Sequence, residues 1–175
     1  MLGKTLIGWR EWVSLPELDL PAVKVKVDTG AQTSALHAFD IKPYEKDGKR
    51  RVRFKTHPMQ GNEDIVRKCD CILVDERNIT SSNGQKEKRC VIKTPIERGD
   101  IKADIEITLT SRSDMEFRML LGRTAMREMK VVVDPTKSFL LGRLAKPKDL
   151  YGLVQDVVQD VLYKIGSLIT PEKRP

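Results

Sequence analysis

At 175 residues, 39% hydrophobic and 33% charged, the chain has apolar material for a core and the length of one domain, or of one domain with a terminal extension. Its 32 Lys and Arg against 25 Asp and Glu give a net charge of +7, which attracts acidic peptides, nucleic acid or anionic membrane surfaces. Aromatic residues make up only 5%; this is poor material for stacking bases and disfavours nucleic acid relative to an acidic peptide.

No apolar run approaches the ~20 residues of a membrane-spanning helix. Met1-Leu2-Gly3-Lys4 leads directly into alternating residues without a signal-like stretch. Three cysteines, an odd number, argue against a disulfide framework. The expected compartment is the cytoplasm.

Along the chain, Thr5 to Val13 and Ala22 to Val27 are short apolar-rich runs. In the second, Val23, Val25 and Val27 alternate with Lys24 and Lys26, the pattern of a half-buried strand. After the Asp47-Gly48 turn signal, Val52 and Phe54 alternate with basic residues, and Cys71 to Val74 is a further apolar run. Asn83-Gly84 marks a tight hairpin tip. Val91-Ile92 and Ile101 to Leu109 predict two more strands, the second alternating cleanly. Met119 to Leu121 and Val131 to Val133 read as buried strands flanking a helical turn over Arg123 to Glu128. Beyond residue 146, Leu150, Leu153, Val154, Val157, Val158, Val161, Leu162 and Ile165 follow helical spacing, one apolar face of an amphipathic helix. The expected organisation is a domain over 1–145 and a helical extension over 146–175.

The chemistry concentrates at Val27-Asp28-Thr29-Gly30-Ala31. Two carboxylates held together share one proton, because like charges at close range cannot both ionise. Such a pair can activate water against a peptide bond. A valine-rich strand would deliver Asp28, Thr29 offers a short hydroxyl, and Gly30 permits a sharp turn and a close backbone. Ala31, Thr33 and Ser34 are small enough to pack beneath. Alone, Asp-Thr-Gly is ordinary turn chemistry. A second run, Leu120-Leu121-Gly122-Arg123, lies late in the chain, and the Ser81-Ser82-Asn83-Gly84 tip lies between the two.

These three features in this order resemble retropepsins, the dimeric aspartic proteases of retroviral type. Closer still, Gly8-Trp9-Arg10-Glu11-Trp12-Val13, the run Val27 to Ala38, Met119 to Arg123 and Val133-Asp134-Pro135 resemble a retropepsin-like bacterial and archaeal family. That family is labelled an ATP-dependent zinc protease and is associated with RimK-type glutamate ligases, hence with ribosome modification. The resemblance covers roughly residues 5 to 145. It implies a mainly β fold, a retropepsin-like (acid protease) closed barrel with short helices, to which the sequence adds a C-terminal amphipathic helix. It implies that Asp28 is catalytic, with Thr29, Gly30, Ala31, Thr33, Gly122 and Arg123 supporting the active-site loop. Ser81, Ser82, Asn83 and Gly84 would form a flap over substrate. Arg123 would organise the dimer through an acidic residue.

One Asp-Thr-Gly motif in a chain of this length requires the second Asp from a second copy, so a C2 homodimer is expected. Asp40 and Asp134 are not followed by glycine and do not supply it. The expected activity is an aspartic endopeptidase that needs no cofactor, acting on acidic or glutamylated protein tails, with a functional link to a glutamate ligase and a ribosomal protein. No His-Glu-x-x-His run or phosphate-binding loop is present, against the zinc and ATP label. A zinc set of His57, Cys69, Cys71 and Cys90 is set aside on the expectation that Cys-x-Cys on a strand points its thiols to opposite faces. His37 is given a local hydrogen-bonding role, and Trp9 and Trp12 are assigned to packing. The alternatives are a zinc-dependent hydrolase and a non-catalytic dimeric module binding acidic partners.

Overall fold

Alternating apolar residues and frequent β-branched side chains make this chain a succession of strands. The computed structural model describes residues 3–81, 83–112 and 114–152. Among them are β1 (Thr5–Gly8), β2 (Arg10–Leu15), β3 (Leu20–Val27), β4 (Ser34–His37), β5 (Phe39–Lys46) and β6 (Lys49–Thr56). There follow β7 (Arg67–Thr80), β8 (Lys86–Arg98), β9 (Ile101–Thr110), β10 (Met119–Leu121) and β11 (Val131–Asp134). A 3-10 turn spans Pro16–Leu18, and the helix α1 spans Arg123–Glu128.

Six strands close a barrel. The order β2-β3-β10-β4-β9-β8 returns to β2 through the pairing of Ser14 with Glu97. The fold is mainly β, a closed barrel with short helices. The interior is filled by the apolar positions of the alternation, including Val23, Val25, Leu36, Ile92, Ile96, Ile107, Leu109 and Met119, all fully or almost fully buried. Closure removes the open edges that a flat sheet of these strands would expose.

The β7–β8 hairpin is longer than the apolar runs predict. Cys71 to Val74 belongs to a strand of 14 residues, and Val91-Ile92 to one of 13. Charged residues on the outward positions conceal the strands in a hydropathy reading. From β7 the sheet continues outward through β6 to β5, which is where the segment 50–68 goes. Asp70 ties this three-stranded wing together, accepting from Tyr44 Oη at 2.6 Å, Arg51 Nε at 2.9 Å and Arg53 Nε at 3.1 Å. The Tyr44 hydrogen bond, with those from Arg53 and Arg51, holds the Asp70 carboxyl down at about 2.

The run Thr5 to Val13 is interrupted at Trp9. Strand β1 leaves the barrel and pairs in parallel with β11, while β2 pairs with β3. The cause is local. A side chain at Gly8 would put its Cβ 2.5 Å from Lys137 O and 2.8 Å from Ser138 Cα, so only glycine passes there. Glu11, 1% exposed, then pins the corner. It accepts hydrogen bonds from the N–H groups of Gly8 (2.7 Å), Leu140 (2.8 Å) and Leu141 (3.2 Å).

Residues 147–152 are helical. Tyr151 is buried, donates to Ala22 O, and its own carbonyl accepts from Arg67 Nη2 at 2.8 Å. The rest of the expected amphipathic helix, 153–175, lies outside the described residues.

Replacing Glu11 by Gln puts an NH2 group among three N–H donors and leaves at least one without an acceptor. We expect a loss of about 1–3 kcal/mol in urea denaturation. The wing should show its own pH response. Because the Asp70 pKa is depressed in the fold, its contribution is present above the ordinary value of 3.8 and is lost as pH falls towards 2. Hydrogen exchange between pH 4 and pH 2 should show β5–β7 amides losing protection ahead of barrel amides.

Candidate active site

Strand β3 ends at Val27, and Asp28 begins the loop that leads to β4. The carboxylate is half-buried, while Thr29 and Gly30 are exposed. One oxygen, Oδ1, accepts from the N–H groups of Gly30 at 3.0 Å and Ala31 at 3.2 Å. Among the described residues Oδ2 accepts no hydrogen bond. The loop therefore orients the carboxylate through one oxygen and presents the other.

The second half of the site is the junction of β10 and α1. Parallel pairing of β10 with β3 sets Leu121 beside Val27, and Leu121 O accepts from Asp28 N at 2.9 Å. The chain then passes through Gly122, where a Cβ would lie 2.7 Å from Thr33 C and 2.9 Å from Ser34 N. Gly122 N donates to Ser34 Oγ at 3.0 Å. The first residues of α1 clamp the other side of the loop. Arg123 N donates to Ala31 O at 2.9 Å, and Thr124 donates to Gln32 O through both its N–H and its hydroxyl, each at 3.0 Å. The Arg123 guanidinium donates to Thr29 O at 2.9 Å.

The residues singled out from the sequence, Asp28, Thr29, Gly30, Ala31, Thr33, Gly122 and Arg123, thus lie together. Within this chain the Arg123 guanidinium has a main-chain carbonyl as its partner and, among the described residues, no carboxylate. Position 32, at the loop's end, holds Gln32, whose contribution is its carbonyl. Ser34, Thr124 and the Leu121 carbonyl were not among the predicted site residues. The hydroxyl at Ser34 was visible in the sequence, but its partner, 88 residues away, was not. Beside this loop a hollow of about 750 Å³ is lined by Lys4, Thr29, Gln32, Arg123, Arg127 and Lys130. Among the described residues none of those four cations has a carboxylate within 4 Å.

The β7–β8 hairpin closes at Ser81 to Gln85, with Gly84 at φ 82° and its N–H donating to Ser81 O at 2.9 Å. Asn83 Oδ1 accepts from the Ser81 hydroxyl and from Gln85 N. Ser82 lies outside the described residues. Ser81 and Asn83 line one hollow with Arg89, Arg112 and Asp114, and those last three also line a second hollow that reaches Lys26 and Leu120. The hairpin tip is thereby continuous with the strands that carry Asp28.

The cysteine expectation needs correction. Residues two apart on a strand share a face, and Cys69 and Cys71 both face inward while Asp70 and Ile72 face out. The original geometric objection to a zinc set does not hold. Burial raises both thiols, Cys69 to about 12 and Cys71 to about 11, and Cys69 Sγ donates to Leu18 O. Among the described residues no three His, Cys, Asp or Glu side chains gather as metal ligands. His57 stacks on Phe39 at 4.6 Å and on His37 at 5.8 Å, and His37 Nδ1 lies 3.0 Å from Arg112 O. Trp12 is buried; Trp9 is half-buried, with Arg10 over its ring at 4.7 Å.

A closed barrel whose Asp-Thr-Gly loop is locked to a Leu-Gly-Arg turn defines the class: a retropepsin-like domain. The family model for RimB-like proteins, described as retropepsin-like aspartic endopeptidase RimB, matches residues 6–143, and the chain belongs to this family. A probable alpha-L-glutamate ligase of Shewanella pealeana is 45% identical over 153 residues, 86% of this chain and 33% of that protein. Another from Desulfotalea psychrophila is 42% identical over 171 residues, 98% of this chain and 37% of that protein. The chain spans about a third of the length of these curated relatives. Among solved structures, a protein of unknown function from Legionella pneumophila matches with a TM-score of 0.67 and 28% identity, covering 78% of this chain and 98% of that one.

The close passage at Gly122 leaves no room for a side chain there. Gly122→Ala forces Thr33 and Ser34 apart, and we expect it to cost about 1–3 kcal/mol. Hydrogen exchange should show the Asp28 and Arg123 amides losing protection more than amides of the β8–β9 ladder.

Proposed function

We propose that the chain is an aspartic endopeptidase whose active site forms from the Asp28 loops of two copies related by a C2 axis. The observation that carries this reading is the Asp28 carboxylate itself. One oxygen is fixed by two loop N–H groups and the other is free, on a loop whose Thr29 and Gly30 are exposed. Membership of a retropepsin-like aspartic endopeptidase family supports it.

In the dimer the two carboxylates share one proton and titrate as a pair. The ionised member takes a proton from water as the water oxygen bonds to the peptide carbonyl carbon. The protonated member gives its proton to the carbonyl oxygen. The resulting gem-diol collapses as the pair gives its proton to the amide nitrogen and the C–N bond breaks. A gem-diol hydroxyl returns its proton to the pair as the carbonyl re-forms, which restores the shared state. Thr29 braces the pair, Gly30 allows the second loop to approach, and Arg123 holds the loop through Thr29 O. The Ser81 to Gly84 tip closes over the bound chain.

The substrate we infer is an acidic protein tail, with glutamylated tails of a ribosomal protein as the leading case. Supporting this are the +7 net charge and the unpaired cations beside Thr29. Relatives named probable alpha-L-glutamate ligase carry a segment like this chain within a longer protein, which supports a functional link to glutamate ligation. The place of action is the cytoplasm.

Asp28→Asn should fold and dimerise as the native chain does, by light scattering, and lose cleavage of polyglutamate by about 100- to 10,000-fold. A zinc hydrolase would keep its activity in this variant and lose it to a chelator. A pure binding module would show no cleavage in the native chain. Specific activity should also fall on dilution, tracking the dimer fraction measured by sedimentation; an obligate monomer that cleaves contradicts the reading.

A further inference from the structure

The second hollow of the cleft, about 210 Å³, has a floor built by five adjacent barrel strands. Arg89 comes from β8, Thr110 from β9, Ala35 from β4, Leu120 from β10 and Lys26 from β3. Leu120 pairs with both Lys26 and Ala35 in the ladder, so the three stand side by side. Asp28 lies two residues beyond Lys26, a spacing of roughly 7 Å in extended chain. Its N–H is held by Leu121, the neighbour of Leu120. The hollow is therefore next to the Asp28 carboxylate along the same strands.

The hollow is open on one side, but two of the polar groups on its floor are buried. Thr110 is 1% exposed, and its Oγ1 has no hydrogen-bond partner among the described residues. Arg89 is 9% exposed, and among the described residues only its Nε is engaged, with Glu87 Oε2 at 2.8 Å. Glu87 is two residues away on the same strand and on the same face. Its side chain is 42% exposed, so the partner of a buried cation is itself half in solvent. Arg112 and Asp114 offset one another at the rim, 3.6 Å apart; the exposed Glu116 also lines the hollow, and among the described residues Lys26 has no carboxylate within 4 Å. Met115 and Phe117 supply an apolar wall. An apolar side chain entering here would leave the Arg89 donors and the Thr110 hydroxyl unsatisfied, whereas a carboxylate would engage them.

We propose that this hollow is the pocket for a substrate side chain beside the cleaved bond, that it takes a glutamate-sized carboxylate, and that Arg89 is the specificity residue. Glu87 occupies the guanidinium in the empty protein and yields it to the incoming carboxylate. This rests on the peptidase reading for its place in a reaction, and on the hollow alone for its binding chemistry.

The test uses the full chain carrying Asp28→Asn and measures fluorescence anisotropy of labelled hexaglutamate and hexaglutamine at one ionic strength. Hexaglutamate should bind roughly tenfold or more tightly than hexaglutamine, and Arg89→Met should remove most of that difference. Lys49→Met removes an equal charge on the exposed start of β6 and should remove little of it. Glu87→Gln leaves the packed guanidinium in place and should strengthen hexaglutamate binding severalfold. The proposal is overturned if Arg89→Met costs no more than Lys49→Met, or if Glu87→Gln leaves binding unchanged or weaker. Failure of the peptidase reading shows differently, as cleavage that survives Asp28→Asn or never occurs in the native chain.

Discussion

Two backbones meet at Gly122 more closely than any side chain allows. The passage of β10 into α1 presses on Thr33 and Ser34, with no room for a Cβ between them. This contact turns two distant pieces of chain into one site. It brings the Leu121 carbonyl to the Asp28 amide and the Arg123 and Thr124 amides to the carbonyls of Ala31 and Gln32. The loop from Asp28 to Ser34 has no regular structure of its own, and its polar backbone groups need partners. The Gly122 turn supplies them from both sides, leaving Asp28 Oδ2 and the exposed face of Thr29 and Gly30 free. A rigid loop aims a carboxylate more accurately than a flexible one, and the aim is what two such carboxylates would need to share a proton.

A second buried constraint acts close by, where β2 runs beside the end of β3 that leads to Asp28. Glu11 is a charged residue in an apolar run, and burying it without partners would be costly. Three backbone N–H groups, from Gly8, Leu140 and Leu141, solvate it instead. The same carboxylate thus fixes where β1 leaves the barrel and where the chain after β11 returns. Because β1 follows β11 rather than β3, Lys4 and Lys130 come to lie beside Thr29 and α1. The positive hollow next to the Asp28 loop is a consequence of this corner.

Charge is distributed to match that arrangement. On the wing, basic residues are answered by Asp70, Asp40 and Glu76, across strands whose Val52, Phe54 and Cys69 pack into the main core. Around the Asp28 loop the cations lack such partners. Net charge by itself attracts any polyanion; the unanswered charge lies beside the Asp28 loop, in the hollow lined by Lys4, Arg123, Arg127 and Lys130.

The pair of motifs and their order can be read from the residues alone. Asp28 to Ala31 and Leu120 to Arg123 are contiguous runs whose residue types are dictated by local geometry, so both halves of the site were legible. Strands with strict alternation, such as Ile101 to Leu109, were legible for the same reason. Tertiary structure decided the rest, because the deciding partner lies far along the chain. The β7–β8 hairpin is long because each strand pairs with the other, although its outward positions are charged. The break at Trp9 comes from the backbone of Lys137 and Ser138 at Gly8. Ser34 matters because Gly122 donates to it across 88 residues. Arg89 and Thr110 look like an ordinary charged residue and an ordinary strand threonine until the pairing of β8 with β9 in the barrel buries them together. Burial of a polar group is a property of the closed barrel, and no local window of sequence contains it.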